Sequence, residues 1–333
     1  MNKNILIIGG AGYIGTIITR YFLKKNFKVT NLDNLIYNHT ETLNEFKDHK
    51  NFNFVFGDLR NEQMIEDLSS NCDIVIVLGG LVGDPITKKY PLISDEINNK
   101  GLKKTIDICK NKKIENFIFV STCSNYGLST VDLPLDENAE LKPLSLYAKH
   151  KVSIEKYILD LKGKAVFSPT ILRFSTAFGL SPRMRFDLTI NQFTKSIFMK
   201  ENLDVFDANT WRPYCHVFDF GVALEKIIEA DKKLTNYEVF NVGGDNNNYT
   251  KKQIVDKILE YLPSGKVSFT NKSQDPRNYK VNFSKIENLL NFKISYSVND
   301  GIEEIIEFLK KKNNYFSDID KSQLGNYVIE GKQ

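Results

Sequence analysis

No segment of the 333-residue chain approaches the roughly 18 consecutive apolar residues that a membrane-spanning helix requires. The opening stretch MNKNILIIGG sets a lysine before an apolar run, as a signal peptide does. Glycines interrupt that run after Ile8, too early for a secretory leader. Cysteine is scarce and scattered: Cys72, Cys109, Cys123 and Cys215 form no CxxC pair and no metal-ligand spacing. Neither a disulfide framework nor a metal site is expected, and a reducing cytoplasm is the expected compartment. A clustered basic face is also missing. Lys and Arg number 45 against 41 Asp and Glu, a net charge of +4 spread along the chain, which argues against nucleic acid as a partner. Internal repeats are absent.

What is present is an alternation of short apolar runs with helical stretches. The runs NILIIGG (4–10), KVTNLD (28–33), FNFVFGD (52–58), DIVIVLGG (73–80), NFIFVST (116–122) and SPTILRF (168–174) are apolar almost throughout. Continuous apolarity marks strands covered on both faces, the pattern of a parallel sheet. Helical stretches at 16–25, 93–111 and from 147 onward fall between them. The fold expected is α/β, a Rossmann-type doubly wound parallel sheet with a smaller, interleaved C-terminal substrate domain. Residues 1–174 and 212–235 are assigned to the dinucleotide-binding domain, 175–211 and 236–311 to the substrate domain, and 312–333 to a C-terminal extension.

Gly9, Gly12 and Gly15, in GGAGYIG, stand between the first strand and the first helix. There the backbone turns tightly, approaches a pyrophosphate and lets the helix pack on the sheet. Tyr13 and Ile14 belong to the same turn. Asp33, with Asn34 beside it, ends the second strand, where a carboxylate suits the two hydroxyls of a ribose and repels a 2'-phosphate; the cofactor expected is therefore NAD. Asp58 and Leu59 end the third strand near the place of an adenine, Gly79 and Gly80 end the fourth, and Asn98 is positioned to anchor backbone near the nicotinamide half.

Tyr147 and Lys151, in YAKHK, lie one helical turn apart and share a face. A lysine beside a phenol stabilises the phenolate and makes it a base for a sugar or alcohol hydroxyl. The pair opens the helix that follows the fifth strand, on the carboxyl edge where a doubly wound sheet binds ligands. Thr122 ends that strand, and its hydroxyl can orient the same substrate oxygen. His150, His216 and Cys215 read as structural.

The motifs GGAGYIG, LDNL, GDLRN, STCSNYG, YAKHK, LRFSTAFG, WRPYCHVFD, FNVGG and DPRNY stand in an order that resembles the extended short-chain dehydrogenase/reductases of the NAD-dependent epimerase/dehydratase family. The resemblance covers residues 3–310. It implies oxidation at C4 of a nucleotide-diphosphate sugar, with Tyr147 as base, Lys151 beside it and Thr122 orienting the substrate. It also implies Arg212 and Arg277 as clamps on the diphosphate, Arg183, Arg185 and Asn191 in the segment over the nucleotide, and a homodimer or higher homo-oligomer built from the helices near 93–111 and 147–161.

The 4,6-dehydratases of that family carry Asp-Glu after the threonine, an acid and a base for eliminating water. Here those substrate-site positions hold Cys123 and Ser124, so dehydration is not expected. Thr176 and Ala177 stand where galactose epimerases carry Asn-Pro, which leaves the sugar and its nucleotide open. A 4-epimerase is the first expectation. A C4-dehydrogenase releasing the keto sugar, for example a GDP-heptose or another unusual sugar of a capsule or lipopolysaccharide, is the alternative, and a non-catalytic dinucleotide sensor is the third.

Overall fold

The computed structural model describes residues 3–130, 133–271, 277–312 and 324–329. In chain order its strands are β1 (Asn4–Ile8), β2 (Lys28–Asp33), β3 (Phe52–Phe56), β4 (Ile74–Val77), β5 (Asn116–Thr122), β6 (Pro169–Phe174), β7 (Thr176–Phe178), β8 (Leu203–Phe206), β9 (Trp211–His216), β10 (Glu238–Val242), β11 (Asn248–Thr250) and β12 (Val267–Thr270). The helices are α1 (Tyr13–Lys24), α2 (Glu62–Ser69), α3 (Asp84–Lys89), α4 (Pro91–Asp95), α5 (Leu102–Cys109), α6 (Leu146–Leu159), α7 (Thr189–Phe198), α8 (Val217–Glu229), α9 (Lys232–Thr235), α10 (Lys251–Tyr261), α11 (Ser284–Leu290) and α12 (Val298–Lys311). The single helix expected over 93–111 is α4 and α5 joined by a π-helical turn, Glu96–Gly101.

Seven strands form one parallel sheet in the order β10-β6-β5-β4-β1-β2-β3. Chain order runs outward from β1 in one direction and from β4 in the other, so the crevice at their carboxyl ends is the switch point where such sheets bind ligands. β5 is buried at all seven positions, as its uninterrupted apolar run requires. One face packs on α1, α8 and α11 through Ile18, Phe22, Phe220, Leu224 and Ile286. The other packs on α2, α5 and α6 through Ile65, Leu102, Ile106, Ile154 and Ile158.

A smaller lobe gathers α7, α10 and α12 around Phe193, Ile197, Ile254, Ile258, Ile302 and Ile305. Two small sheets belong to it, β11-β9-β7 and β12-β8. Strand pairing departs from the division expected at two places. β10, expected in the substrate domain, is the edge strand of the large sheet. β9, expected in the dinucleotide domain, pairs with β7 and β11. α8 nevertheless returns to the large sheet, where Phe220 stacks on Phe174 with ring centroids 3.9 Å apart. Among the described residues no helix is long and apolar enough to cross a membrane.

Candidate active site

The turn after β1 sets the floor of the first cleft. Gly9 has φ +86°, and a Cβ there would sit 2.6 Å from the Gly79 backbone, so the ends of β1 and β4 approach this closely only because Gly9 lacks a side chain. Gly12 caps α1 with no side-chain hydrogen bond and no acidic residue in the first turn, and its Cβ position has nothing nearer than 3.6 Å. The first amides of α1 thus open on the cleft, an arrangement suited to a diphosphate.

Asp33 lines the same cleft. Its carboxylate accepts from the amides of Leu35 (2.8 Å) and Ala11 (3.0 Å). Burial pushes its pKa up, and those two amides oppose the shift. Asp58 is held by Arg60 at 2.9 Å and by Asn34 at 2.8 Å; burial raises its pKa, but these hydrogen bonds prevail and leave it below the usual carboxylate range. Tyr13, Ile14, Gly15, Leu59, Gly79 and Gly80 also line the cleft. Asn98 does not. It is buried, donates to the Leu81 carbonyl and accepts from the Leu81 amide, both at 2.8 Å, and so fixes the backbone beside Gly80 from behind.

Two polar groups in the lining were not singled out from sequence. Tyr37 Oη and both ring nitrogens of His39 are buried with no hydrogen-bond partner among the described residues. Such orphans are costly unless a ligand meets them, and their place beside Asp33 fits the sugar and base of a dinucleotide. Burial, chiefly, and Arg183 push the His39 pKa down to about 3, so its imidazole is neutral.

The second cleft joins the first through Ile14, Leu78, Val82 and Arg185. Ser145 caps α6, accepting from the Ala148 amide at 3.2 Å, and so places Tyr147 in the first helical turn. Tyr147, Lys151, Thr122, Ser124, Thr176, Arg185, Arg212 and Arg277 all line this second cleft. Lys151 is buried; its Nζ donates to the Val120 carbonyl at 2.7 Å and lies 5.9 Å from the centre of the Tyr147 ring. Burial lowers the Lys151 pKa to about 8, with Glu155 opposing. The Tyr147 phenol is raised by burial, against Arg185, the Thr122 hydroxyl and Arg277, which lower it, while Asp84 adds to the rise. Thr122 Oγ1 accepts from the Ser124 amide at 3.1 Å.

Below this group, Glu155 meets Arg173 at 2.7 Å and accepts from Ser121 and Asn125, a buried network that fixes α6 on β5. Arg212 is buried, lies over the Tyr279 ring at 5.2 Å and donates to the Trp211 and Arg277 carbonyls. Arg277 pairs with Asp84 at 3.0 Å. Asp84, Gln192, Lys251, Tyr279 and Tyr327 line the cleft without having been read from sequence. The position of Asp84 at the start of α3, after Gly79 and Gly80, was the available signal.

Three substrate residues expected from sequence lie elsewhere. Cys123 points into the core, its thiol donating to the Arg173 carbonyl at 3.2 Å; burial pushes its pKa up to about 12. Asn191 is buried away from both clefts because its amide donates to Tyr13 Oη and the Arg185 carbonyl and its oxygen accepts from the Gly179 amide. Arg183 lines the first cleft, not the second one, and lies 4.5 Å over the Tyr37 ring. His216 is structural as expected: it pairs with Glu304 at 2.7 Å and stacks on Tyr296.

The glycine turn and α1 are also tied to the smaller lobe. Tyr13 Oη donates to the Gly179 carbonyl at 2.6 Å, and Ser181 Oγ donates to the Tyr13 carbonyl at 2.7 Å.

A model of the NAD dependent epimerase/dehydratase family matches residues 5–243. A UDP-glucuronate 4-epimerase of Thermodesulfobacterium geofontis is 27% identical over 318 residues, covering 92% of this chain and 96% of that protein. Among solved structures, the UDP-glucuronic acid 4-epimerase of Bacillus cereus in complex with UDP-glucuronic acid and NAD superposes with a TM-score of 0.82 at 23% identity, covering 92% of this chain and 99% of that one. A dTDP-glucose 4,6-dehydratase from Bacillus anthracis in complex with NAD does so with 0.80 at 24%, covering 95% and 99%. At these identities the superpositions establish the shared fold.

Proposed function

The chain belongs to the NAD dependent epimerase/dehydratase family, and from that premise we propose that it is a 4-epimerase of a nucleotide-diphosphate sugar. The proposal rests on one observation: Thr122, Tyr147 and Lys151 meet in a cleft continuous with the one that fits the dinucleotide. Bound NAD supplies the hydride acceptor and, on return, the hydride donor. Tyr147 takes the proton of the C4 hydroxyl and later restores it; the Lys151 ammonium stabilises its phenolate, and Thr122 holds the hydroxyl in line. Arg212 and Arg277 grip the diphosphate, which lets the keto sugar turn over while its nucleotide stays anchored. Gly9, Gly12, Gly15, Asp33, Asp58 and Arg183 hold the cofactor.

Positions 123 and 124 offer dehydration no acid-base pair. Ser124 is a hydroxyl, and Cys123 is turned into the core with a thiol that stays protonated. Asp84 pairs with Arg277 through Oδ2, but its buried Oδ1 has no hydrogen-bond partner among the described residues and favours an uncharged sugar ring, because a sugar carboxylate entering beside it meets like charge. We place the protein in the cytoplasm as a homodimer or larger assembly through α5 and α6, which light scattering tests by mass.

The deciding experiment incubates the protein with NAD and UDP-, GDP-, CDP- and dTDP-sugars and resolves products by chromatography and mass spectrometry. A new isomer of unchanged mass is expected. A product lighter by two hydrogens would make it a dehydrogenase, and one lighter by water a dehydratase.

A further inference from the structure

Residues 324–329 return to the mouth of both clefts. The Phe186 amide donates to the Leu324 carbonyl at 2.7 Å, and Leu324 packs into the core of the smaller lobe. Ile329 packs against the core on the α2, α5 and α6 face of the large sheet. Between these two anchors Asn326 lines the dinucleotide cleft and Tyr327 lines the second cleft.

Asn326 is buried and fully engaged. Its Nδ2 donates to the Val82 carbonyl at 3.0 Å, its Oδ1 accepts from Arg183 Nη2 at 2.8 Å, and its amide donates to Asp187 at 3.4 Å. One side chain therefore ties the loop after β4, which forms part of both clefts, to the guanidinium of Arg183. That guanidinium is buried, and among the described residues no carboxylate lies within ion-pair distance of it. It rests on the Tyr37 ring, the Asn326 oxygen and the Gly325 carbonyl. A buried cation whose direct contacts are neutral, with Asp33 and Asp187 acting on it only from beyond ion-pair distance, is costly until an anion reaches it, and the cleft it lines is the one that fits a diphosphate.

We infer that residues 324–329 retain the dinucleotide, with Asn326 as the positioning residue that holds Arg183 and Val82 against it. The segment makes the cofactor slow to leave, which keeps the reduced form in place for hydride return. This deepens the epimerase proposal, but it concerns cofactor release and is measured without any sugar.

The test uses full-length protein loaded with NADH, whose fluorescence decays when excess NAD is mixed in. Asn326→Ala and a truncation before residue 324 are each expected to release NADH at least tenfold faster than the parent. Melting of the cofactor-free proteins is measured in parallel, with Asn326→Gln as the conservative variant expected to recover part of the slow release. Unchanged release in both variants overturns the inference. So does faster release in Asn326→Ala that merely follows a lowered melting temperature of the cofactor-free protein.

Discussion

Lys151 gives one ammonium hydrogen to the carbonyl of Val120, 2.7 Å away, and so is tied to the strand that ends in Thr122. The bond fixes the distance between the helix that carries Tyr147 and the strand that ends in Thr122. It also holds a cation in a buried place, where its pKa falls to about 8.

That burial has a sign that can be measured. The native lysine releases its proton near pH 8 and the unfolded one near its ordinary 10.5, so between these values the unfolded state binds more protons and stability rises with pH. Relative to Lys151→Met, the parent should gain stability between pH 8 and 10 in denaturant titrations of the cofactor-free protein. Turnover of the variant should fall roughly 100-fold or more. A stability gap constant over that range would count against a buried, depressed lysine.

Tyr147→Phe keeps the ring and removes the proton acceptor. Activity should drop by about 10³ or more while NADH affinity stays within about twofold, read by fluorescence titration. Near-normal turnover would take Tyr147 out of the chemistry.

His39 should make the protein acid-sensitive. Its native pKa of about 3 lies below the unfolded value of 6.5, so the neutral form is stable at neutral pH and the unfolded chain gains protons first as pH falls. Between pH 7.5 and pH 5 this costs about 2 kcal/mol. His39→Asn should lose about that much less than the parent over the same interval, by urea unfolding at the two pH values. Parallel losses in both proteins would show that another group is responsible.

Asp84→Asn should widen the choice of sugar. The parent is expected to turn over uncharged nucleotide sugars in preference to the matching uronates, and the variant to raise the uronate's relative kcat/KM by about tenfold. A parent that prefers the uronate would refute the role given to Asp84.

Much of this was legible in the residues. Strands covered on both faces read as unbroken apolar runs, and β2 and β5 have the bounds expected from those runs. The glycine turn, Asp33 and the Tyr147–Lys151 spacing are local patterns tied to local geometry. β9 and β10 were exchanged between sheets because an apolar run states that a strand is buried but not which neighbour buries it. Arg183 and Arg185 differ for a related reason: residues 179–188 have no regular period, so of two side chains two residues apart Arg185 lines both clefts and Arg183 only the first. Asn326 and Tyr327 were invisible because their role comes from contacts with residues more than 130 positions away.

Tyr13 and Ser181, which bind the first helix to the segment after β7, also bear on how such a molecule can be rebuilt. A chimera that exchanged residues 1–174 for those of a relative would cut none of the large sheet's first six strands, yet it would discard half of every bond across this seam. Grafts that carry Tyr13, Thr16, Gly179, Ser181 and Asn191 together should therefore express and bind cofactor where cleaner-looking exchanges at the lobe boundary fail. The unit of inheritance is the seam, and the two lobes are not interchangeable parts.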